Sequence, residues 1–237
     1  MNRYTSVSKQ KARPIGLIGG TFDPIHHAHL IIAEEVRATL ALSEMVFILS
    51  GHPPHKPGRQ ITPAEQRMTM LEMAIRSNPF FSSSRIELDR PGPSYLADTL
   101  HLLRAQWGHE VELSFVIGWD SLEELHTWYD PQGILAALDH LVAVRRPGRV
   151  VPEGYHEQLE HRLPGINDRL LVVPVPQLDI SSTDLRQRIA EGRPITYQTP
   201  FEVEHYIVEQ KLYQDEQKLS LEEQKTNHDA THAFRNR

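Results

Sequence analysis

Strand-like and helix-like stretches alternate along most of this chain, and this alternation limits its fold more than any other feature. Short apolar runs are followed by segments in which apolar residues recur every three or four positions. Strands separated by helices form βαβ units, and such units assemble into a parallel sheet. The pattern therefore predicts an α/β protein with a doubly wound parallel sheet in a single domain.

The alternation also gives approximate element boundaries. Strands are predicted at 15–19, 45–49, 80–88, 112–117, 141–144 and 170–173. Helices are predicted at 29–40, 63–75, 95–107 and 135–138, from 184 to 190, and at 201–212. Open sheets of this kind bind ligands beyond the carboxyl ends of their strands, so functional side chains are expected in the loops that follow the strands.

The two ends of the chain depart from the alternating pattern. Residues 1–14 carry four basic residues and no acidic one, which predicts a flexible N-terminal segment, with a transit peptide as the alternative. Residues 15–213 form the predicted domain. Residues 214–237 are polar and rich in Gln and Glu, which predicts a disordered tail.

Composition excludes several classes of function. The net charge of −6 argues against a nucleic-acid partner held by overall positive charge. No apolar run reaches the roughly 20 residues that a membrane helix needs, so no membrane association is expected. The chain has no cysteine, which excludes disulfides, thiolate zinc sites and a thiol nucleophile, and a cytoplasmic location is predicted.

The first predicted strand runs directly into a cluster of glycine and histidine residues. Glycines there let the backbone approach a phosphate, and the free N–H groups of the following helix attract it. Imidazoles three residues apart at the helix start can donate to phosphate oxygens. A metal site and a purely structural helix cap remain alternatives for the histidines. The residues of this cluster are Gly19, Gly20, Thr21, Phe22, His26 and His29.

A second polar cluster follows the last predicted strand and opens a helix. Hydroxyl groups lie beside free backbone N–H groups, and an arginine one turn later can make a forked contact with phosphate. Plain helix capping with a solvated arginine is the alternative. The residues are Ser181, Ser182, Thr183 and Arg186.

Together the two clusters resemble the paired signatures of the nucleotidylyltransferase superfamily. The first is similar to Gly-Gly-Thr-Phe-Asp-Pro-x-His-x-Gly-His, with Ala28 in place of the last Gly, and the other to Ile-Ser-Ser-Thr-x-x-Arg. The resemblance implies a Rossmann-like fold in which His26, His29 and Arg186 bind the ATP phosphates and act in catalysis. It implies no metal site of the protein's own, since Mg²⁺ arrives with ATP.

Segments between the clusters resemble those of the nicotinate-mononucleotide adenylyltransferases. They are Pro53–Lys56, Ser94–Leu100, Phe115–Asp120 with Trp128 and Tyr129, and Arg146–Gly148. The resemblance assigns Gly118 and Asp120 to ATP and a further set to the mononucleotide: His55, Lys56, Asp98, Thr99, Trp128 and Arg146. Ordinary roles stay open, because an aromatic side chain can pack, a lysine can be solvated, and an aspartate can cap a helix or orient its neighbours.

The implied reaction joins nicotinate mononucleotide and ATP to give nicotinate adenine dinucleotide and pyrophosphate, a step of NAD biosynthesis. The rivals are another nucleotidylyltransferase, with nicotinamide mononucleotide or phosphopantetheine as acceptor, and a non-catalytic nucleotide sensor on the same fold. The expected partners are ATP and nicotinate mononucleotide, and a homo-oligomer stays open.

Overall fold

A computed structural model of the chain describes residues 13–52, 61–108, 110–145 and 152–214. Most of the predicted N-terminal segment and of the predicted tail lies outside these ranges. The same is true of three predicted mononucleotide-binding residues: His55, Lys56 and Arg146.

The described ranges contain a regular succession of strands and helices. The strands are β1 (Arg13–Gly20), β2 (Glu44–Leu49), β3 (Phe81–Ser84), β4 (Val111–Gly118), β5 (His140–Arg145) and β6 (Leu170–Pro174). The helices are α1 (His27–Thr39), α2 (Ala64–Ile75), α3 (Leu96–Trp107), α4 (Trp119–Glu124), α5 (Pro131–Ala137), α6 (Tyr155–Arg162), α7 (Ser182–Ala190) and α8 (Phe201–Glu209). A 3-10 turn at Leu125–Thr127 follows α4.

The six strands form one parallel sheet in the order β3-β2-β1-β4-β5-β6. In this register Leu17 lies opposite Val46 on one side and Phe115 on the other. The order is that of a doubly wound, Rossmann-like sheet, and the direction of winding changes between β1 and β4. The predicted fold class is therefore confirmed.

The buried stretches of the central strands, 15–18 of β1 and 113–117 of β4, are mainly apolar because both faces of the sheet are covered. Ile15 and Leu17 point to one face, where they join a buried cluster with side chains of α3, α4, α5 and α6. Gly16 points to the other face, and a Cβ there would come within 2.6 Å of Met45 and 2.7 Å of Leu42. The absence of a side chain at this position lets that face pack closely.

Several predicted boundaries were wrong. The strand predicted at 80–88 ends at Ser84, and the helix predicted at 135–138 begins at Pro131. The first strand starts at Arg13, within the segment predicted to be flexible. The closing helix ends at Glu209, and the turn after it includes two residues with positive φ, Lys211 and Tyr213. Helix α6 was not predicted.

Contacts along the chain divide it into two compact units. The unit that we call the sheet unit runs to Thr21 and includes Ile31–Gln60 and Arg76–Gln177. The other, the helical unit, comprises Phe22–Leu30, Ile61–Ile75 and the chain from Leu178 onward. All six strands belong to the sheet unit, whereas α2 and α8 pack against each other within the helical unit.

None of the helices in the described ranges combines the length and the apolar character that crossing a lipid bilayer requires.

Candidate active site

In the sheet unit, β1 and β4 end where the winding of the sheet changes direction. Gly19 and Gly20 finish β1, while Gly118 finishes β4 and is the N-cap residue of α4. A Cβ at Gly19 would meet only the ring of Phe115, at an ordinary 3.5 Å. Packing within the protein therefore does not demand glycine at position 19, and the space beside that backbone is open to a ligand.

A cavity of about 200 Å³ opens beside these strand ends in the sheet unit. Its walls are mainly apolar and aromatic, with a few polar groups. The lining residues are Gly19, Gly20, Thr21, Ile48, Ser50, Glu87, Ser94, Tyr95, Leu96, Phe115, Trp128, Tyr129 and Ile134. A mostly apolar pocket with few, well-placed polar groups is typical of a small-molecule site.

The polar centre of this cavity is Glu87, which the sequence analysis missed. Its side chain is buried and accepts hydrogen bonds from the hydroxyl groups of Thr99, Ser94 and Ser50, the first at 2.8 Å. Burial raises the pKa of the Glu87 carboxyl, and the three hydroxyl groups and Arg90 oppose that rise only in part. The oxygen of Ser94 also accepts the backbone N–H groups of Gly51 and His52.

The aromatic wall of the cavity comes from the start of α3 and from the segment after the 3-10 turn. The rings of Tyr95 and Tyr129 stack with centroids 4.5 Å apart, and Trp128 packs against the buried cluster of the sheet unit. Trp128 therefore packs against the core, as the structural alternative for this aromatic residue predicted, and it also lines the cavity. Flat walls of this kind suit a planar ring.

Other predicted residues of the sheet unit lie outside the cavity lining. Thr99 is fully buried, and its hydroxyl is engaged by Glu87 and the carbonyl of Tyr95. Asp98 forms an ion pair with Arg90 at 3.6 Å, which is the orienting role held open for it. Asp120 is exposed in the first turn of α4, whose N-cap residue is Gly118, so Asp120 does not have the capping role held open for it.

In the helical unit, the predicted histidine pair is brought together at the start of α1. The rings of His26 and His29 stack with centroids 3.7 Å apart, and Phe22 meets His29 edge-on at 5.1 Å. The backbone N–H of His26 donates to Nδ1 of His29 at 3.3 Å. A neutral His29 therefore carries its proton on Nε2, which makes that atom a hydrogen-bond donor.

The two histidines differ in burial. His26 is 4% exposed, and burial, helped by the nearby charge of His27, lowers the pKa of His26 to about 4. Its Nδ1 is buried and has no hydrogen-bond partner among the described residues. At neutral pH the His26 ring is uncharged, so it can offer a phosphate one N–H and no positive charge.

Free backbone N–H groups were predicted at the start of this helix, and the prediction was wrong for His27 and His29. The N–H of His27 donates to the carbonyl of Gln198 at 2.9 Å, and the N–H of His29 donates to the carbonyl of His26 at 3.0 Å. Side chains are consequently the groups that a phosphate would meet at these two positions.

Ala28, the departure from the family signature, causes no strain. It lies in the first turn of α1, is buried and does not have a positive φ. A methyl group is therefore accepted where the family usually has glycine.

Arg186 and Ser182 contact the same stretch of main chain in the helical unit. Arg186 is 4% exposed, and its Nη1 donates to the carbonyl of Asp23 at 2.6 Å. The hydroxyl of Ser182 donates to the next carbonyl, that of Pro24, at 2.8 Å. A buried guanidinium aimed at the backbone of the histidine segment is not the solvated arginine of the alternative interpretation.

The other hydroxyl groups of the second cluster have local partners. Ser181 is the N-cap of α7 and accepts the N–H of Asp184 at 3.1 Å, as the capping alternative predicted. Thr183 is exposed, and its hydroxyl oxygen accepts Nη2 of Arg186 at 3.3 Å.

The sequence analysis also missed the groups around Asp23. The buried carboxylate of Asp23 accepts the hydroxyl of Tyr213 at 2.7 Å and the N–H of Thr62 at 3.3 Å. Arg67, 1% exposed, donates from Nε to the carbonyl of Thr62 at 2.8 Å. Burial lowers the pKa of Arg67, and the charge of Asp23 opposes this. No local motif marks Thr62, Arg67 or Tyr213, and two of them, Thr62 and Tyr213, contact an aspartate that is distant in the sequence.

Within the described ranges, no three or more His, Asp or Glu side chains gather as they would around a metal ion. The histidines of the first cluster stack on each other and on Phe22.

The fold and the two clusters define a protein of the cytidylyltransferase-like family, whose model matches residues 17–188. A relative from Thermomicrobium roseum is 46% identical over 84% of this chain and 91% of its own length. Another, from Roseiflexus sp. strain RS-1, is 48% identical over 85% and 98%. Both bear the name "Probable nicotinate-nucleotide adenylyltransferase". The chain belongs to the nicotinate-nucleotide adenylyltransferases.

A solved structure has the same fold at low sequence identity. It is the nicotinic acid mononucleotide adenylyltransferase of Plasmodium falciparum complexed with NaAD. Its TM-score is 0.67 at 17% identity, over 85% of this chain and 97% of that chain.

Proposed function

We propose that this protein transfers the adenylyl group of ATP to nicotinate mononucleotide, giving nicotinate adenine dinucleotide and pyrophosphate. The observation that carries the proposal is the cluster in the helical unit, where His26, His29 and Arg186 gather around one short stretch of main chain. These side chains are donors without a nucleophile or a metal cage among them, which suits the charge of a polyphosphate.

The cluster supplies different groups to the triphosphate. His29 offers its Nε2–H group to a phosphate oxygen, and the hydrogen bond that its Nδ1 accepts from the backbone of His26 fixes the orientation of the ring. Arg186 supplies the permanent positive charge and a planar fork of N–H groups, because its guanidinium stays charged even when buried. Ser182 and Thr183 lie beside it at the start of α7. We assign these groups, with Phe22 and His26, to the phosphates of ATP.

The sheet unit supplies the second binding region. Gly19, Gly20 and Thr21 line its cavity together with aromatic side chains. A pyridine ring is planar and, when joined to ribose, positively charged, so aromatic faces and the Glu87 carboxylate suit it. We assign the aromatic part of this cavity to the mononucleotide, with Trp128 as the principal aromatic contact. Gly19, Gly20 and Thr21 at its edge stay assigned to ATP, together with Gly118 and Asp120.

Adenylyl transfer requires that the attacking phosphate oxygen be aligned with the α-phosphorus of ATP and that the charge on the leaving pyrophosphate be stabilised. A phosphate oxygen of the mononucleotide attacks the α-phosphorus of ATP in line, a P–O bond forms, and the bond to the β-phosphate oxygen breaks. The nucleophile is already an anion, so no general base is needed. Charge builds on the leaving pyrophosphate, and Arg186 and His29 stabilise it there.

Magnesium belongs to the substrate in this proposal. Mg²⁺ is usually held by phosphate oxygens and water with few protein ligands. A cytoplasmic location stays a prediction from the cysteine-free composition.

A pyrophosphate-release assay with Mg-ATP and a panel of acceptors tests the proposal. The acceptors are nicotinate mononucleotide, nicotinamide mononucleotide and phosphopantetheine. Release with the first acceptor, and dinucleotide formation by mass, is the expected result. Release with phosphopantetheine alone would assign the chain to another branch of the family. ATP binding without release on any acceptor would make it a nucleotide sensor.

A further inference from the structure

The last described turn of the chain reaches back to the first site motif. The hydroxyl of Tyr213 donates to Oδ1 of Asp23 at 2.7 Å, across 190 residues of sequence. The hydroxyl of Thr62 also bonds to this phenol. Both partners of Tyr213 belong, like Tyr213 itself, to the helical unit.

Asp23 contacts two residues with different groups. Its backbone carbonyl contacts Arg186, and its side-chain carboxylate contacts Tyr213. Its carbonyl accepts Nη1 of Arg186 at 2.6 Å, while its carboxylate is held by Tyr213 and by the N–H of Thr62. Nε of Arg67 donates to the carbonyl of Thr62, and the positive charge of Arg67 interacts favourably with the negative charge of Asp23. Since the carboxylate is buried, loss of one donor would leave an acceptor without a partner and free Asp23 to move.

The turn that carries Tyr213 has an unfavourable backbone conformation at two residues. Tyr213 and Lys211 both have positive φ, 64° and 52°, which residues with a Cβ seldom adopt. Such residues persist when surrounding contacts hold them. Burial and the Asp23 carboxylate also raise the pKa of the Tyr213 phenol, so it remains a donor over the whole range in which an enzyme works.

We propose that Tyr213 is a positioning residue for the phosphate-binding arginine, acting through Asp23. The turn after α8 is thereby part of the machinery that binds ATP. This inference rests on the proposed assignment of Arg186 to the ATP phosphates, and it adds a residue that no motif of the sequence marks.

The primary test is Tyr213→Phe, which removes one hydroxyl group and keeps the ring. The KM for ATP should rise about tenfold or more, because the Asp23 carboxylate loses a buried donor and no longer holds in place the carbonyl that accepts Nη1 of Arg186. The KM for nicotinate mononucleotide should stay within about twofold of the wild-type value. Tyr206→Phe is the matched control, because it removes a phenol hydroxyl from α8, whereas the Asp23 carboxylate is held by Tyr213 and Thr62.

A purely structural role predicts a different result. Tyr213→Phe would then lower the melting temperature or the active fraction and leave the KM for ATP of the folded enzyme unchanged. That result would overturn the inference. Arg67→Lys is a second variant in case the first does not fold, since it keeps the charge and removes the Nε contact with Thr62. It too should raise the KM for ATP, and wild-type values would count against the proposal.

A double-mutant cycle tests whether Tyr213 acts through Arg186. Arg186→Lys alone should weaken ATP use, because an ammonium group cannot grip two phosphate oxygens as a guanidinium does. If the proposal holds, Tyr213→Phe has little further effect in that background. Fully additive losses in the double variant would show that Tyr213 acts by another route.

Calorimetry with Mg-ATP and no acceptor separates this inference from the proposed function. Weaker ATP binding in Tyr213→Phe than in wild type supports the contact network of Tyr213, Asp23 and Arg186. It does so even if no adenylyl transfer to nicotinate mononucleotide is found, and that absence of transfer would overturn the proposed function alone. Equal ATP binding with normal transfer in both proteins would overturn the network alone. A wild-type protein that bound no ATP would overturn both.

Discussion

His29 combines a fixed orientation with partial exposure. Its Nδ1 accepts a backbone N–H, its ring stacks on His26, and Phe22 contacts it edge-on. Three contacts hold one donor in place before any substrate arrives. A donor oriented in advance costs no reorganisation when charge develops, and this is the main source of its catalytic value.

We therefore expect His29→Ala to lower kcat by on the order of 10²–10³, the usual effect of removing one oriented donor. The melting temperature should fall little, because His29 is only half-buried. His27→Ala, a neighbouring imidazole outside the stacked pair, is the control. Near-normal turnover of purified His29→Ala would show that the histidine has a structural role only.

His26 should make the stability of the fold depend on pH. The pKa of His26 is about 4 in the folded protein and about 6.5 when unfolded, so folding disfavours its protonation. Its contribution is therefore complete above pH 6.5 and is lost as the pH falls through 4. The loss can reach roughly 3 kcal/mol over that interval.

Urea unfolding of the wild type and of His26→Gln at pH 7 and pH 4.5 measures this effect. The stability difference between the wild type and the variant should narrow, or turn in favour of the variant, at the lower pH. His27→Gln should keep most of the wild-type pH dependence. Parallel pH profiles for the wild type and His26→Gln would contradict the prediction.

Sequence motifs could locate His26, His29 and Arg186, because each lies in a short pattern that mirrors local geometry. They could not locate Glu87 or Tyr213. A buried acid is stabilised by hydroxyl groups from two separate segments, and a phenol bonds to a carboxylate 190 residues away. Such partners become neighbours only when the chain folds.

At the level of elements, buried strands were the easiest to predict. Apolar runs at 45–49 and 141–144 correspond to β2 and β5 to within one residue at each end. Helix α6 was missed because only Leu159 of its eight residues is buried, so it shows no apolar periodicity. The predicted strand at 80–88 stops early, since the chain turns after Ser84 to bring Glu87 into the cavity.

The start of α7 offers a test of capping against ligand binding. Ser181 accepts the N–H of Asp184, whereas Ser182 donates to the carbonyl of Pro24. Ser181→Ala should therefore lower the unfolding free energy by about 1 kcal/mol, the usual cost of losing an N-cap. Its KM for ATP should change little.

Ser181→Gly and Ser182→Ala are the matched comparisons for this test. Glycine is tolerated at an N-cap, so the first should lose only a few tenths of a kcal/mol. The second leaves the cap intact and removes a side chain next to Arg186. A Ser181→Ala protein that keeps its stability but needs much more ATP would show that Ser181 binds phosphate.

For the whole molecule, the chemistry divides between two compact parts of one chain. The sheet unit holds an aromatic cavity with the buried acid Glu87 in its wall, and the helical unit holds the cationic and imidazole donors. The chain as a whole is acidic, with a net charge of −6, so attraction of polyphosphate depends on these local donors. The segment from Gly19 to His29 contributes residues to both parts.

If the cavity of the sheet unit binds the mononucleotide, as proposed, its walls also determine the choice between an acid and an amide mononucleotide. The two substrates differ only in a carboxylate against a carboxamide, and aromatic walls treat both alike. Glu87 could accept a hydrogen bond from the amide, but the hydroxyl groups of Ser50, Ser94 and Thr99 already donate to it. Discrimination must then come from N–H donors, which satisfy a carboxylate and clash with an amide N–H₂.

We expect kcat/KM to favour nicotinate mononucleotide over nicotinamide mononucleotide by at least tens-fold, because an unpaired buried donor costs roughly 1–3 kcal/mol. Both values are measured at saturating Mg-ATP. Glu87→Gln removes a negative charge from the cavity wall while keeping its shape, so the preference for the anionic substrate should increase in that variant. Tyr206→Phe should leave the ratio unchanged. Equal use of both mononucleotides by the wild type would overturn the substrate assignment and leave the adenylyl transfer standing.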